Sequence, residues 1–399
     1  MLHLLVLSVF VESVAVGPIS VGRVLALAAA FITCVSVLTR PRSRLLPSPS
    51  IGLPVAGLGL WVFLSVFWAS SFSSWVEAAL QFALALCYFG AYVVLLESRA
   101  QIRRLLTSYV VGAAASAVVG IVQASTTVRA VGLQGDANTY ALYELAAVPV
   151  AVSRIGHTRG LARLGWAALT LLLLWAVLSA QSRGALLSAV AVVGFLLVRG
   201  DAGGIWLRRR GLMAGFGLLT TLIAAAVVVT KVPRFDPTVV RESGGTGRVD
   251  IWRVAWQAWE RRPVLGLGAG NFQAQSSDLL STASGVQLDP YSKIVLGGIR
   301  VHNAYLEPWV ELGPVGLALY LALLVGVGRI LMGKRLGHDS GVLVALFPML
   351  LGFLVATMFL STMNNKLLWM LTGIAAVLPY LPIRRHELVR PVASPIEVS

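Results

Sequence analysis

Apolar stretches of helix length follow one another along almost the whole chain, and the one long polar run covers residues 231–301. A helix needs about 20 consecutive apolar residues to cross a bilayer. Such windows are centred near residues 9, 29, 60, 86, 115, 146, 172, 191, 221, 314, 351 and 374. The pattern predicts an all-α, polytopic transmembrane bundle of about twelve spans with one large loop. Residues 1–230 would carry spans one to nine, 231–301 the loop, and 302–399 the last three spans and a tail, in a single integral domain. Within the loop, the run TGRVDIWRVAWQAWERRP spaces Trp252, Trp256 and Trp259 by four and three residues. That spacing gives one aromatic face on an amphipathic helix, closed by Pro263. The following GLGAG at 266–270 reads as a tight turn. Two placements of the helix remain open: along the bilayer surface with its tryptophans at headgroup depth, or packed through them onto the bundle.

Composition agrees with a membrane protein, since 57% of the 399 residues are hydrophobic and 12% are charged. Mean hydropathy is +0.82. The net charge of +15 does not point to nucleic acid, because the basic residues form short clusters between apolar spans and build no soluble basic module. Arg40, Arg42 and Arg44; Arg99, Arg103 and Arg104; Arg154, Arg159 and Arg163; Arg199 and Arg208–Arg210; Arg329, Lys334 and Arg335; and Arg384, Arg385 and Arg390 all fall on one face. The positive-inside rule makes that face cytoplasmic, with both termini on it. The opposite connections near 17–20, 70–74 and 361–365 are nearly uncharged, and 231–301 would be extracytoplasmic. Cys34 and Cys87 lie in apolar spans as packing residues, which supports neither a disulfide framework nor a cysteine metal site. The N-terminal run has no basic n-region and reads as a first span.

The loop breaks the charge rule, with Lys231, Arg234, Arg241, Arg248, Arg253, Arg261, Arg262, Lys293 and Arg300 on the outer side. Long loops translocate regardless of charge, so a basic cap is one explanation; a bound anion is the other. Position favours the anion. Arg248 falls in the first turn of the amphipathic helix, where a cation opposes the helix dipole and an anion is welcome. Gln181, Ser182 and Arg183 must form a tight turn between two spans, with Arg183 at the start of the second. An arginine at that depth is costly unless paired or used, with snorkelling to headgroups as the alternative. His302 is expected at the start of another apolar helix, next to Arg300. Both neighbours disfavour protonation and leave an imidazole able to accept a proton, or one that only makes interfacial hydrogen bonds.

An SRG turn opening a helix, then GR followed by WxxAW and PxxGxGxGNF, then HNAYLExWxExGxxGL, resembles the bacterial O-antigen ligase and Wzy-type polymerase family. GLQGDANTYAL at 132–142 is loosely similar to a further signature of that family. The resemblance runs from about residue 50 to 380 and is strongest over 180–320. It implies a GT-C-like integral membrane glycosyltransferase of the bacterial plasma membrane, working at the extracytoplasmic face. The implied donor is a glycan on undecaprenyl pyrophosphate, and the acceptor a glycan, lipid-glycan or protein hydroxyl. Under the resemblance, Arg183 and Arg248 are donor pyrophosphate ligands and His302 is the catalytic base, in an inverting transfer needing neither metal nor cofactor. Gln181, Asn303, Glu307 and Arg300 are supporting candidates, each with an ordinary alternative as a cap, water contact or salt-bridge member. The competing classes are a polymerase with the same motifs and a polyprenyl-linked glycan flippase. Against the flippase, the sequence has no half-to-half repeat of helix lengths.

Overall fold

The computed structural model describes residues 2–11, 15–16, 19–39, 46–126, 129–198, 247–286, 298–333, 342–361 and 363–382. The expected span near 221, the basic clusters at 40–44, 199–210 and 384–390, and loop residues 231–246 and 287–297 lie outside them.

Helices dominate: α1 (Leu2–Leu7), α2 (Val21–Thr39), α3 (Pro49–Leu64), α4 (Phe72–Leu95), α5 (Arg99–Ala124), α6 (Ala137–His157), α7 (Gly160–Ser179), α8 (Arg183–Val198), α9 (Arg248–Arg261), α10 (Asn271–Thr282), α11 (Leu306–Leu331), α12 (Leu346–Ala356) and α13 (Lys366–Val377). A two-residue hairpin pairs Ala15–Val16 with Ile19–Ser20. Among the described residues, six helical segments are long and apolar enough to cross a membrane: Pro49–Phe67, Phe72–Leu95, Arg99–Ala124, Gly160–Ser179, Leu306–Leu331 and Val342–Phe359. Arg183–Leu196 and Lys366–Tyr380 are shorter apolar helices. The window centred near residue 9 forms only α1, because Val9 and Phe10 donate to Val6 and Leu7, closing i+3 turns that end it.

α6 and α13 form the inner layer. Every residue from Tyr140 to Ala151 is buried, and so is every residue from Leu367 to Val377. A helix surrounded on all sides has no polar face to show water or lipid. Around them pack α7, α5 and α12 against α6, and α4 against α13, with α3 paired to α11 and α8 to α12. Outward-facing Leu27, Phe31, Leu53, Leu60, Val118, Leu161 and Leu171 stay exposed, as lipid-facing residues should. Cys34 is on an exposed face and only Cys87 is partly packed.

Two of the basic clusters meet at one end of the bundle, where the Arg154 guanidinium donates to Thr107 Oγ1 (2.6 Å) and the Arg103 carbonyl (3.4 Å). From Arg154 back to Asp136, the N-cap of α6, is about 27 Å at 1.5 Å per residue, close to a bilayer's hydrocarbon thickness. The connections at 65–71, 129–136, 180–182 and 357–361 gather at that second end with α9 and α10.

α11 is continuous in hydropathy but breaks at Gly313 (φ 68°, ψ −169°) and Pro314. A break strands carbonyls that lipid cannot hydrate. Here Leu267 and Gly268 donate their N–H groups to Val310 O (3.0 Å) and Glu311 O (2.8 Å), and Trp61 Nε1 donates to Leu312 O (2.8 Å). The GLGAG segment is thus a plug for the kink, where a Cβ at Gly266 would meet the Glu311 and Val310 carbonyls, while Gly268 and Gly270 lie against Ala69 and Ser74. A Cβ at Gly313 would run into the Val264 carbonyl at a φ that L-residues rarely adopt. Gly313→Ala should therefore destabilise the protein by about 2 kcal/mol or more, whereas Gly165→Ala, with nothing within 4 Å, should not. Thermal unfolding in detergent separates the two.

Candidate functional site

The segment Thr357–Ser361, after α12, gathers the three residues singled out in the sequence. Ser361 Oγ accepts the His302 backbone N–H at 2.8 Å, and the Thr357 carbonyl accepts that of Ala304 at 2.9 Å. The Arg248 guanidinium lies over the Phe359 ring, 5.7 Å from its centroid. Gly184, beside Arg183, packs so closely on the same ring that an added Cβ would come within 2.9 Å of it. Phe359 therefore sits between the first turns of α8 and α9. Nothing in its sequence neighbourhood marks it.

Each residue reaches this place for a local reason. Arg183 is the first residue of α8, and the turn before it is held by Ser182, whose Oγ accepts from Ala185 N (3.3 Å) and donates to Asn138 Oδ1 (2.9 Å). Arg129 braces the turn from the other side, donating to Ala180 O (3.0 Å) and to Asn138 Oδ1 (3.3 Å). Arg248 opens α9, whose N-cap Gly247 is left-handed (φ 74°). The tryptophans of α9 choose the bundle. Trp252 Nε1 donates to Val301 O (3.1 Å), and Trp256 and Trp259 lie 6.4 and 4.7 Å from the Trp309 ring on α11.

His302 departs from its expected position at a helix start. α11 begins at Leu306, and His302 precedes it in a left-handed conformation (φ 53°). The helix is capped instead by Asn303, whose Oδ1 accepts from Tyr305 N (2.9 Å) and Leu306 N (3.0 Å). Among the described residues, the only other non-glycine with positive φ is Gln181 (φ 49°), two residues before Arg183. Such conformations cost about 1–3 kcal/mol each and persist where the surroundings over-determine them. One precedes Arg183 by two residues, and the other is His302 itself.

Burial, and then the Arg248 guanidinium, hold the His302 imidazole below its usual value of 6.5. Asp136 pulls the other way, and Arg300 adds a further downward push. Asp136 caps α6 through Asn138 N (3.1 Å) and Thr139 N (2.8 Å). It belongs to the GLQGDANTYAL stretch, but its bearing on His302 was not visible there. A depressed pKa means that the neutral ring persists as pH falls below 6.5 and is lost only on passing the lowered value. Arg248→Gln should move this titration up and Asp136→Asn should move it down, as read by nitrogen NMR of selectively labelled histidine.

The supporting candidates separate. Arg300 is exposed and donates from Nε to Gln273 Oε1 (3.1 Å) on α10, a helix with only a weak apolar stripe in sequence. Glu307 faces a cavity with Arg300. Glu311 is buried and accepts the N–H groups of Gly270 (2.8 Å) and Phe272 (3.2 Å), tying α10 to α11.

Two arginines at helix starts and a half-buried imidazole come together at one end of an apolar helical bundle, as in a polytopic membrane protein. Residues 168–321 match the family described as O-antigen ligase. The match includes Arg183, Arg248 and His302 and supports an O-antigen ligase-like membrane enzyme. No curated protein matches the sequence.

Proposed function

We propose that the protein transfers a glycan from undecaprenyl pyrophosphate to an acceptor hydroxyl at the extracytoplasmic face of the bacterial plasma membrane. The observation that carries this reading is the convergence of Arg183, Arg248 and His302 on the 357–361 segment. A diphosphate leaving group needs fixed cationic donors, and guanidinium groups offer planar, bidentate ones. Proton abstraction from a hydroxyl needs a base that is neutral at working pH, and the surroundings of His302 favour that form.

In the proposed reaction the acceptor hydroxyl gives its proton to His302, and its oxygen attacks the anomeric carbon opposite the diphosphate. The new C–O bond forms as the bond to the diphosphate oxygen breaks. Arg183 and Arg248 take up the charge of the departing undecaprenyl pyrophosphate. Attack opposite the leaving group inverts the anomeric centre.

The test is a reconstituted assay with an undecaprenyl pyrophosphate-linked oligosaccharide and an envelope glycan acceptor. Glycosylated acceptor and free undecaprenyl pyrophosphate are expected in equal amounts. Movement of the lipid-linked glycan between leaflets with no new glycosidic bond would replace the transferase by a flippase.

A further inference from the structure

A cavity of about 490 Å³ opens next to His302, at its neighbours Val301 and Ser361. Val301 and Ser361, which flank and hold His302, form part of its wall, whereas Arg183 and Arg248 are not among its lining residues. Its volume lies in the range of small-molecule sites. Glu77 and Gln81 line it one turn apart on α4, Glu307 on α11, Gln273 on α10, Arg300 before His302, and Asn364 on the connection to α13.

The lining has a chemical bias opposite to that of the arginine side. Glu77, Glu307 and Glu311 bring three carboxyl groups against a single guanidinium; Glu311 is occupied by the Gly270 and Phe272 N–H groups, and the guanidinium is engaged with Gln273 Oε1 at 3.1 Å. Gln81 Nε2 donates to Glu77 Oε1 (3.1 Å), fixing this carboxylate on the wall. Asn364 Oδ1 is buried and accepts no hydrogen bond from the protein. A buried acceptor left unsatisfied costs about 1–3 kcal/mol, which a donor hydroxyl would recover. Carboxylates and amides of this kind hold O–H groups, while like charge disfavours an anion beside Glu77 and Glu307.

We propose that this cavity is the acceptor subsite and that it takes the uncharged, hydroxyl-rich end of a glycan, discriminating against uronate or phosphorylated ends. The inference rests on the transferase reading. It places donor and acceptor on opposite sides of His302, with the arginines facing the diphosphate and the cavity presenting a sugar hydroxyl to the imidazole.

Two variants and two sugars test it in the full-length protein held in lipid nanodiscs. Saturation-transfer NMR should show isomaltotetraose bound, and tetragalacturonate at least about tenfold weaker. Ala274 is exposed at the cavity edge on α10. Ala274→Trp should weaken isomaltotetraose at least about tenfold, with undecaprenyl pyrophosphate affinity unchanged. Glu77→Lys, also at an exposed position, should narrow the preference for the neutral sugar. Equal affinity of the wild type for both sugars overturns the proposal, as does an Ala274→Trp protein that binds isomaltotetraose normally. Loss of undecaprenyl pyrophosphate binding in Ala274→Trp would instead give the cavity to the donor. Selective binding of the neutral sugar by a protein that forms no glycosidic bond would defeat the transferase reading, and acceptor subsite with it. Transfer that proceeds equally well onto uronate ends would defeat the acceptor class alone.

Discussion

His302→Ala is expected to lower glycan transfer by about 10²–10⁴-fold, the usual contribution of a positioned general base, while undecaprenyl pyrophosphate still binds. The separation follows from where each group is anchored. The His302 backbone is held by Ser361 Oγ, and the next turn by Asn303 and the Thr357 carbonyl, none of which involves the imidazole. Arg183 and Arg248 come from α8 and α9 and keep their own supports in Asn138, Ser182, Gly247 and Phe359. Removing the ring should thus take away the base and leave the proposed diphosphate ligands in place. Donor binding and turnover, measured on the same preparation, separate the outcomes. Full turnover removes His302 from the chemistry, and loss of donor binding makes it a ligand.

Replacing both arginines should abolish detectable donor binding, and each single substitution should weaken it. Hydrogen bonds to charged groups are worth about 1.5–3 kcal/mol, so Arg248→Ala should cost roughly 10- to 150-fold in affinity. Arg248→Lys should restore only part of it, because an ammonium is a point charge without the planar fork and stacks less well on Phe359. Arg248 lies over the ring on which Gly184, the neighbour of Arg183, packs, so the effects of the two arginines on one shared diphosphate should be coupled. A double-mutant cycle with additive losses would mean two independent anion contacts. Arg248→Ala also removes the second-largest cause that lowers His302. The acid limb of its residual activity should accordingly lie at higher pH than in the wild type.

Much of this was legible in sequence because it is local. Helix length in a bilayer, the aromatic spacing of α9 and the tight turn before Arg183 each depend on residues within a few positions of one another. The helices expected near 29, 60, 86, 115, 146, 172, 191, 314, 351 and 374 are present as α2–α8 and α11–α13. The tryptophans of α9 were ambiguous between bilayer and bundle, and only Trp309, about 50 positions away, resolved the choice. α10 escaped notice because NFQAQSSDLLST carries a weak apolar stripe, held down through Glu311 and through Ser71 N and Ser70 Oγ on Asn271 Oδ1.

The sequence by itself determined that the chain is an apolar helical membrane protein, which stretches form helices, and that Arg183, Arg248 and His302 carry the family motifs. Tertiary structure alone decided that Phe359 and Ser361 gather those residues, that His302 sits left-handed ahead of its helix, and that Asp136 and the carboxylate-lined cavity flank it. The physical reason is range. Hydropathy and helix periodicity act over one turn to one span, whereas Ser361 meets His302 across 59 residues and Asn271 meets Ser71 across 200. Such pairings exist only once the packed bundle has closed.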